Sequence, residues 1–142
     1  MHNVEVYNCS QANTMKAAIR FEGASSKWSH VKGCSVHNGH GWALNVYSSA
    51  NVKIEKTIVY SFKPFGVVAL SVSNFTFDNN IVAHIEERPS QGAQKFVDPR
   101  GAVNICSINE NNVCRDVKIT NNIVAGGAYT GFAVMGHDCG AE

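Results

Sequence analysis

The feature that most limits what this chain can fold into is an eight-residue motif that keeps returning along it. Its clearest copy is Val117-Lys118-Ile119-Thr120-Asn121-Asn122-Ile123-Val124. Places one, three and eight are apolar, and the Asn pair at places five and six is turn-forming. Alternation of this kind puts the first and third side chains on one face of a short strand, which the Asn pair then ends at a corner. Four further copies align with it, beginning at Val4, Ser29, Val52 and Phe75. Their third places, Val6, Val31, Ile54, Phe77 and Ile119, lie 25, 23, 23 and 42 residues apart. A period in the low twenties is the mark of a solenoid.

Each motif is followed by a second apolar stretch that usually opens on Gly or Ala: Ala17–Phe21, Gly41–Val46, Gly66–Leu70, Gly101–Ile105 and Gly131–Met135. None has the three-and-four spacing of a helix. The expected fold is all-β, a right-handed parallel β-helix of about five coils stacked roughly 4.8 Å apart. It forms one domain over residues 1–142, a segment of a longer helix. Val6, Val31, Ile54, Phe77 and Ile119 are expected to make one inward column, and Val36, Val59, Val82 and Val124 another. A third column, Cys9, Cys34, Thr57, Asn80 and Asn122, is expected to satisfy buried polar groups by bonding from coil to coil. The doubled step after Phe77 places long connectors at residues 85–100 and 107–115.

Composition excludes several partners. A formal net charge of +1 gives no electrostatic footprint for nucleic acid, and no apolar run is long enough to insert in a bilayer. Residues 1–13 lack the layout of a signal peptide. Of the five cysteines, Cys106 and Cys114 flank a short polar loop and form the disulfide candidate, while Cys9 and Cys34 are expected to be free thiols in the ladder. No Cys/His spacing fits zinc, and no metal or cofactor is implied. Two sequons occur, at Asn8 and Asn74. Asn8 sits in a tight corner, so Asn74, just ahead of a strand, is the better glycosylation acceptor.

The binding candidates are His40 and Trp42 in the turn His37-Asn38-Gly39-His40-Gly41-Trp42, the charged connector residues Glu86, Glu87, Arg88, Asp98 and Arg100, and the pair His137 and Asp138. Trp42, Tyr47, Phe62 and Phe65 are aromatics able to stack on a sugar, although such residues usually fill a solenoid's core or corners. Gly39-His40-Gly41 superficially matches the histidine turn of polygalacturonases. Glycoside cleavage also needs two carboxylates converging on one face within about 10 Å. Upstream of Gly39 there are only Glu5 and Glu22, with Glu5 placed to face His30, so no catalytic residue is assigned.

The turn at 37–42 leading into Asn45-Val46-Tyr47, together with Asn121–Gly127, Gly131-Phe132 and Gly136-His137-Asp138-Cys139-Gly140, resembles the parallel β-helix repeats of the fibrocystin and fibrocystin-like (polyductin-type) family. The resemblance covers most of the chain from Val4 onward. It implies a large extracellular or cell-surface protein in which this chain is a structural or ligand-binding segment without catalysis. Flanking coils of a parent chain or end-to-end copies would cover its open ends, and a glycan or a protein would be its ligand. The competing expectation is a fragment of a polysaccharide-cleaving β-helix enzyme.

Overall fold

Strand after strand of this chain stops at a residue in the left-handed backbone region, and those residues stack into columns that make the corners of a prism. The structure, a computed structural model, describes residues 1–12, 14, 16–86, 101–106, 113–127 and 130–134. Its strands are β1 (Glu5–Tyr7), β2 (Ile19–Glu22), β3 (His30–Lys32), β4 (Ser35–His37), β5 (Leu44–Tyr47), β6 (Lys53–Glu55), β7 (Ile58–Phe62), β8 (Val67–Leu70), β9 (Ser73–Asp78), β10 (Ile81–Ile85), β11 (Gly101–Ile105), β12 (Arg115–Thr120), β13 (Ile123–Gly127) and β14 (Thr130–Val134). They form three parallel sheets. Sheet A is ordered β3-β6-β9-β12, sheet B β1-β4-β7-β10-β13, and sheet C β2-β5-β8-β11-β14. The chain visits A, B and C in turn, so neighbouring strands in a sheet come from successive coils.

The corner between A and B is the column Gly33, Lys56, Asn79 and Asn121, with φ of 63, 50, 55 and 56°. These are the fifth places of the motif. Asn, Gly and small polar residues tolerate this region best, which is why they dominate the corners. A second column, Trp28, Asn51, Asn74 and Asp116, bends the chain at the entry to sheet A with φ of 66, 57, 48 and 53°, its last two members being the second residues of β9 and β12.

Inside, the columns are in register. Val31, Ile54, Phe77 and Ile119 stack in sheet A, and Val36, Val59, Val82 and Val124 stack in sheet B. Most of these side chains are fully buried. The sixth places form the polar ladder. Asn80 Oδ1 accepts from the Thr57 amide at 2.9 Å, and its Nδ2 donates to the Ile54 carbonyl at 3.0 Å. Asn122 Oδ1 accepts from both the Asn80 amide and Asn80 Nδ2, at 2.8 and 3.0 Å, while its own Nδ2 donates to the Phe77 carbonyl. Both polar atoms of the Asn80 side chain therefore have partners inside the wall.

The first coil departs from the sequence expectation. Val6 pairs with Val36, not with Val31, so it fills the eighth place of its motif. Asn3, at φ 53°, holds the fifth place, with its amide bonded to the Lys32 carbonyl. Val4 then stands where Cys9 was expected, beside Cys34, whose neighbour Ser35 bonds the Val4 carbonyl. The alternation of Val4, Glu5 and Val6 is common to first-and-third and sixth-and-eighth places, and that ambiguity caused the shift. Cys9 is a half-buried free thiol outside the ladder, bonded to the Tyr7 carbonyl, and Cys34 is a buried free thiol within it.

The connector placed at 85–100 starts after Ile85, the last residue of β10, and that at 107–115 ends before Arg115, which opens β12. Cys106 and Cys114 are joined by a disulfide across a separation of 8 residues, with Cα atoms 5.7 Å apart. The bridge ties the end of β11 to the start of β12. Reducing it should lower stability by about 2–3 kcal/mol through the freed loop entropy, measured as a drop in denaturant midpoint with no loss of far-ultraviolet β signal.

Candidate functional site

The three sheets turn three different outer faces to their surroundings, and the register shows what each one carries. On sheet A the second places, His30, Lys53, Thr76 and Lys118, run beside the fourth places, Lys32, Glu55, Asp78 and Thr120. This is a charged ridge. His30 Nε2 lies 2.9 Å from Glu55 Oε2, and Glu5, expected to face His30, instead meets His37 Nε2 at 2.9 Å because of the shifted first coil.

Glu55 and Asp78 are direct neighbours on adjacent strands. Sequence reasoning missed this juxtaposition, although both occupy the fourth place and the repeat itself pairs them. Two carboxylates side by side meet one requirement of glycoside cleavage, yet one of the pair must be an acid with a raised pKa. Asp78 is the reverse. It accepts from Thr120 Oγ1 at 2.5 Å and Asn121 Nδ2 at 3.0 Å, and these bonds, aided by Lys118 and Lys56, hold its carboxyl below the ordinary value.

A carboxyl lowered in the fold adds stability above its unfolded-state pKa, and that stability is lost as pH falls through the lowered value. Asp78→Asn should therefore be less stable than wild type at neutral pH. The gap should close in acid, as seen by melting temperature against pH.

Sheet B carries an exposed apolar face. The seventh places Ile58, Ile81 and Ile123 form an outward ladder, exposed by 46, 41 and 60%. Alongside runs a column of rings. Tyr7 stacks on His37 at 5.8 Å between centroids, and Tyr60 stacks on His84 at 5.5 Å. Their planes lie within 14 and 23° of each other. Within each pair one ring face covers the other, while Tyr7 and Tyr60 stay exposed by 56 and 48%. His84 also meets Glu86 at 3.1 Å, and Glu86 pairs with Lys63 at 2.5 Å, which holds its carboxyl below the ordinary value.

Sheet C is sealed. Trp42 packs edge-on to Phe65 at 5.4 Å over Val68, all but buried, and Phe62 lies in the core. Trp42, Phe62 and Phe65 thus offer no stacking surface for a sugar, and Tyr47 alone of that set is exposed. Gly41 lets the turn pass close to the first coil. A Cβ there would lie 2.7 Å from the Gln11 carbonyl oxygen. His40 is exposed on that turn, its amide bonded to the Cys9 carbonyl. Asn74 is exposed and lies within β9, not ahead of it. Glu87, Arg88, Asp98, Arg100, His137 and Asp138 lie outside the described residues. Among the described residues no group of three or more His, Cys, Asp or Glu side chains could hold a metal ion.

Comparison with known proteins agrees with this architecture. The chain is 26% identical over 139 residues to fibrocystin of Canis lupus familiaris, an alignment covering 98% of this chain and 3% of that protein. The chain thus spans a small part of that relative's length. No solved structure matches it. The sequence profile of the right handed beta helix region family matches residues 2–141, and the stacked parallel sheets are what that family name describes, so the chain belongs to the right-handed β-helix family.

Proposed function

We propose that this chain is a rigid, non-catalytic segment of a large extracellular or cell-surface protein, and that it presents the outer face of sheet B to a protein ligand. The observation that carries the reading is the isoleucine ladder. Three large apolar side chains in register on a flat sheet form the kind of contiguous exposed patch that marks an interaction site. A protein fits the ladder better than a glycan, because isoleucine side chains offer a sugar neither a ring face nor a hydrogen-bonding group. The similarity to fibrocystin supports this location. Further coils of the parent chain, or end-to-end copies, are the natural neighbours of the outer edges of β1 and β2, whereas residues 1–3 already bond along the outer edge of β3 through His30 and Lys32. Beside β2 and β3 a cavity of about 630 Å³ opens, lined among others by Met1, Ile19, Phe21, Trp28 and His30.

Two measurements test the proposal. Antibodies raised against this chain should label intact, unpermeabilised source cells, and labelling only after permeabilisation would overturn the location. Ile81→Lys should leave stability within about 0.5 kcal/mol, since the site is on the surface, while abolishing capture of the surface partner identified by cross-linking. The enzyme alternative draws on the Glu55 and Asp78 juxtaposition. It would require the wild-type chain to shorten acidic polysaccharides and Glu55→Gln to stop it. No chain shortening by wild type is the expected result.

A further inference from the structure

We propose that Asn74 carries an N-linked glycan and that its first sugars lie along the bend at the entry to sheet A, covering Trp28. This deepens the extracellular reading above and rests on it for the natural protein. The sequon is Asn74-Phe75-Thr76, and the strand sorts its three side chains by role. Phe75 points into the core at 0% exposure, while Asn74 is exposed. Thr76 is half-buried and shares the outward row of His30, Lys53 and Lys118. Attaching a sugar to Asn74 therefore disturbs no buried group. The left-handed φ of 48° at Asn74, the second residue of β9, makes a bend where that strand enters sheet A.

The column at this bend supplies direction. Asn74 Nδ2 leans toward the previous coil and donates to Asn51 Oδ1 at 2.6 Å. One coil further in the same direction, in the same column, stands Trp28. It is 77% exposed, the most exposed large apolar side chain among the described residues. Two coil spacings separate Asn74 from Trp28, roughly 10 Å. A first sugar on Asn74 extends over Asn51, and the second brings its apolar ring face to the indole. The other direction offers only Asp116. A tryptophan held in the open gains from such a cover, because its large apolar area leaves water.

The chemistry is that of secretory-pathway transfer. The bond formed joins Asn74 Nδ2 to the anomeric carbon of an oligosaccharide. The bond broken links that carbon to a phosphate oxygen of its lipid-pyrophosphate carrier, which leaves as the lipid pyrophosphate. Nδ2 gives up one proton. The donor is the lipid-linked oligosaccharide, and Thr76 is the hydroxyl that the transferring enzyme reads.

The test uses the parent protein from its source and the same chain sent through the secretory pathway of a cultured animal cell. Enzymatic glycan release in heavy-oxygen water should convert Asn74 to heavy-oxygen Asp in the peptide map. Release should also shift Trp28 emission to longer wavelength and raise its quenching by acrylamide, against the constant background of buried Trp42. Thr76→Val, which removes the sequon and leaves the left-handed Asn74 in place, should show the shifted emission from the start. An unmodified Asn74 in secreted, folded chain would overturn the site, and unchanged Trp28 emission on release would overturn the covering. A chain glycosylated when secreted by the cultured cell but bare in its source would keep the site and refute the extracellular reading instead.

Discussion

Asn80→Ala should be among the most destabilising single changes in this protein, costing about 3 kcal/mol or more. The side chain is 1% exposed, and its truncation breaks three bonds made by its amide group. The Thr57 amide then loses its acceptor, and a buried donor left unpaired costs about 1–3 kcal/mol, while the Ile54 carbonyl and Asn122 Oδ1 each lose one donor as well. Asn122 Oδ1 keeps the Asn80 backbone amide, so that coil is only loosened. Asp at this position is the informative control. Its oxygens can still accept from Thr57, but it cannot donate to Ile54, so it should fall on the unstable side of wild type. Denaturant midpoints at fixed pH decide the order, and Asn80→Ala within about 0.5 kcal/mol of wild type would show that the ladder is not part of the stability of the wall.

Phe77→Ala should cost about 3–5 kcal/mol, the range for a buried ring replaced by a methyl group. Phe77 is fully buried between Ile54 and Ile119 in the sheet A column, with Phe75 two residues before it on the same inward face. Because the stack is one-dimensional, damage in one coil is felt by its immediate neighbours. Hydrogen exchange in the variant should therefore accelerate first in β6, β9 and β12, and later in β4. A uniform acceleration over all three sheets would mean that the coils unfold as one unit.

Both experiments probe parts of the chain that are plainly legible in its amino-acid sequence. The eight-place motif leads to the parallel stack, to the inward columns of Val31, Ile54, Phe77 and Ile119, and to the Thr57, Asn80 and Asn122 ladder. It can do so because a β-helix fixes every side chain by its place in a coil, and the place can be counted. The count fails in the first coil, where Val4-Glu5-Val6 satisfies the apolar alternation in two registers. Only pairing with Ser35, Val36 and His37 selects between them. The error carries Glu5 to His30 and Cys9 to Cys34, when the folded chain brings Glu5 to His37 and Val4 to Cys34.

The surface is legible in its rows and not in its exposure. The seventh places can be counted as Ile58, Ile81 and Ile123, yet an isoleucine in a strand is expected inside, and sequence alone does not mark these as outward. Trp42 shows the converse. Its turn looks like a binding feature, but Phe65 from the next coil closes over it. The sequence by itself determined the repeat, and with it the fold and the polar ladder, because those depend on spacing along one coil. The tertiary structure decided which face stays uncovered, which carboxylates meet, and where Asn74 points relative to Trp28. Those depend on contacts between residues 23 or more apart, and the alternation within a single strand is silent about them.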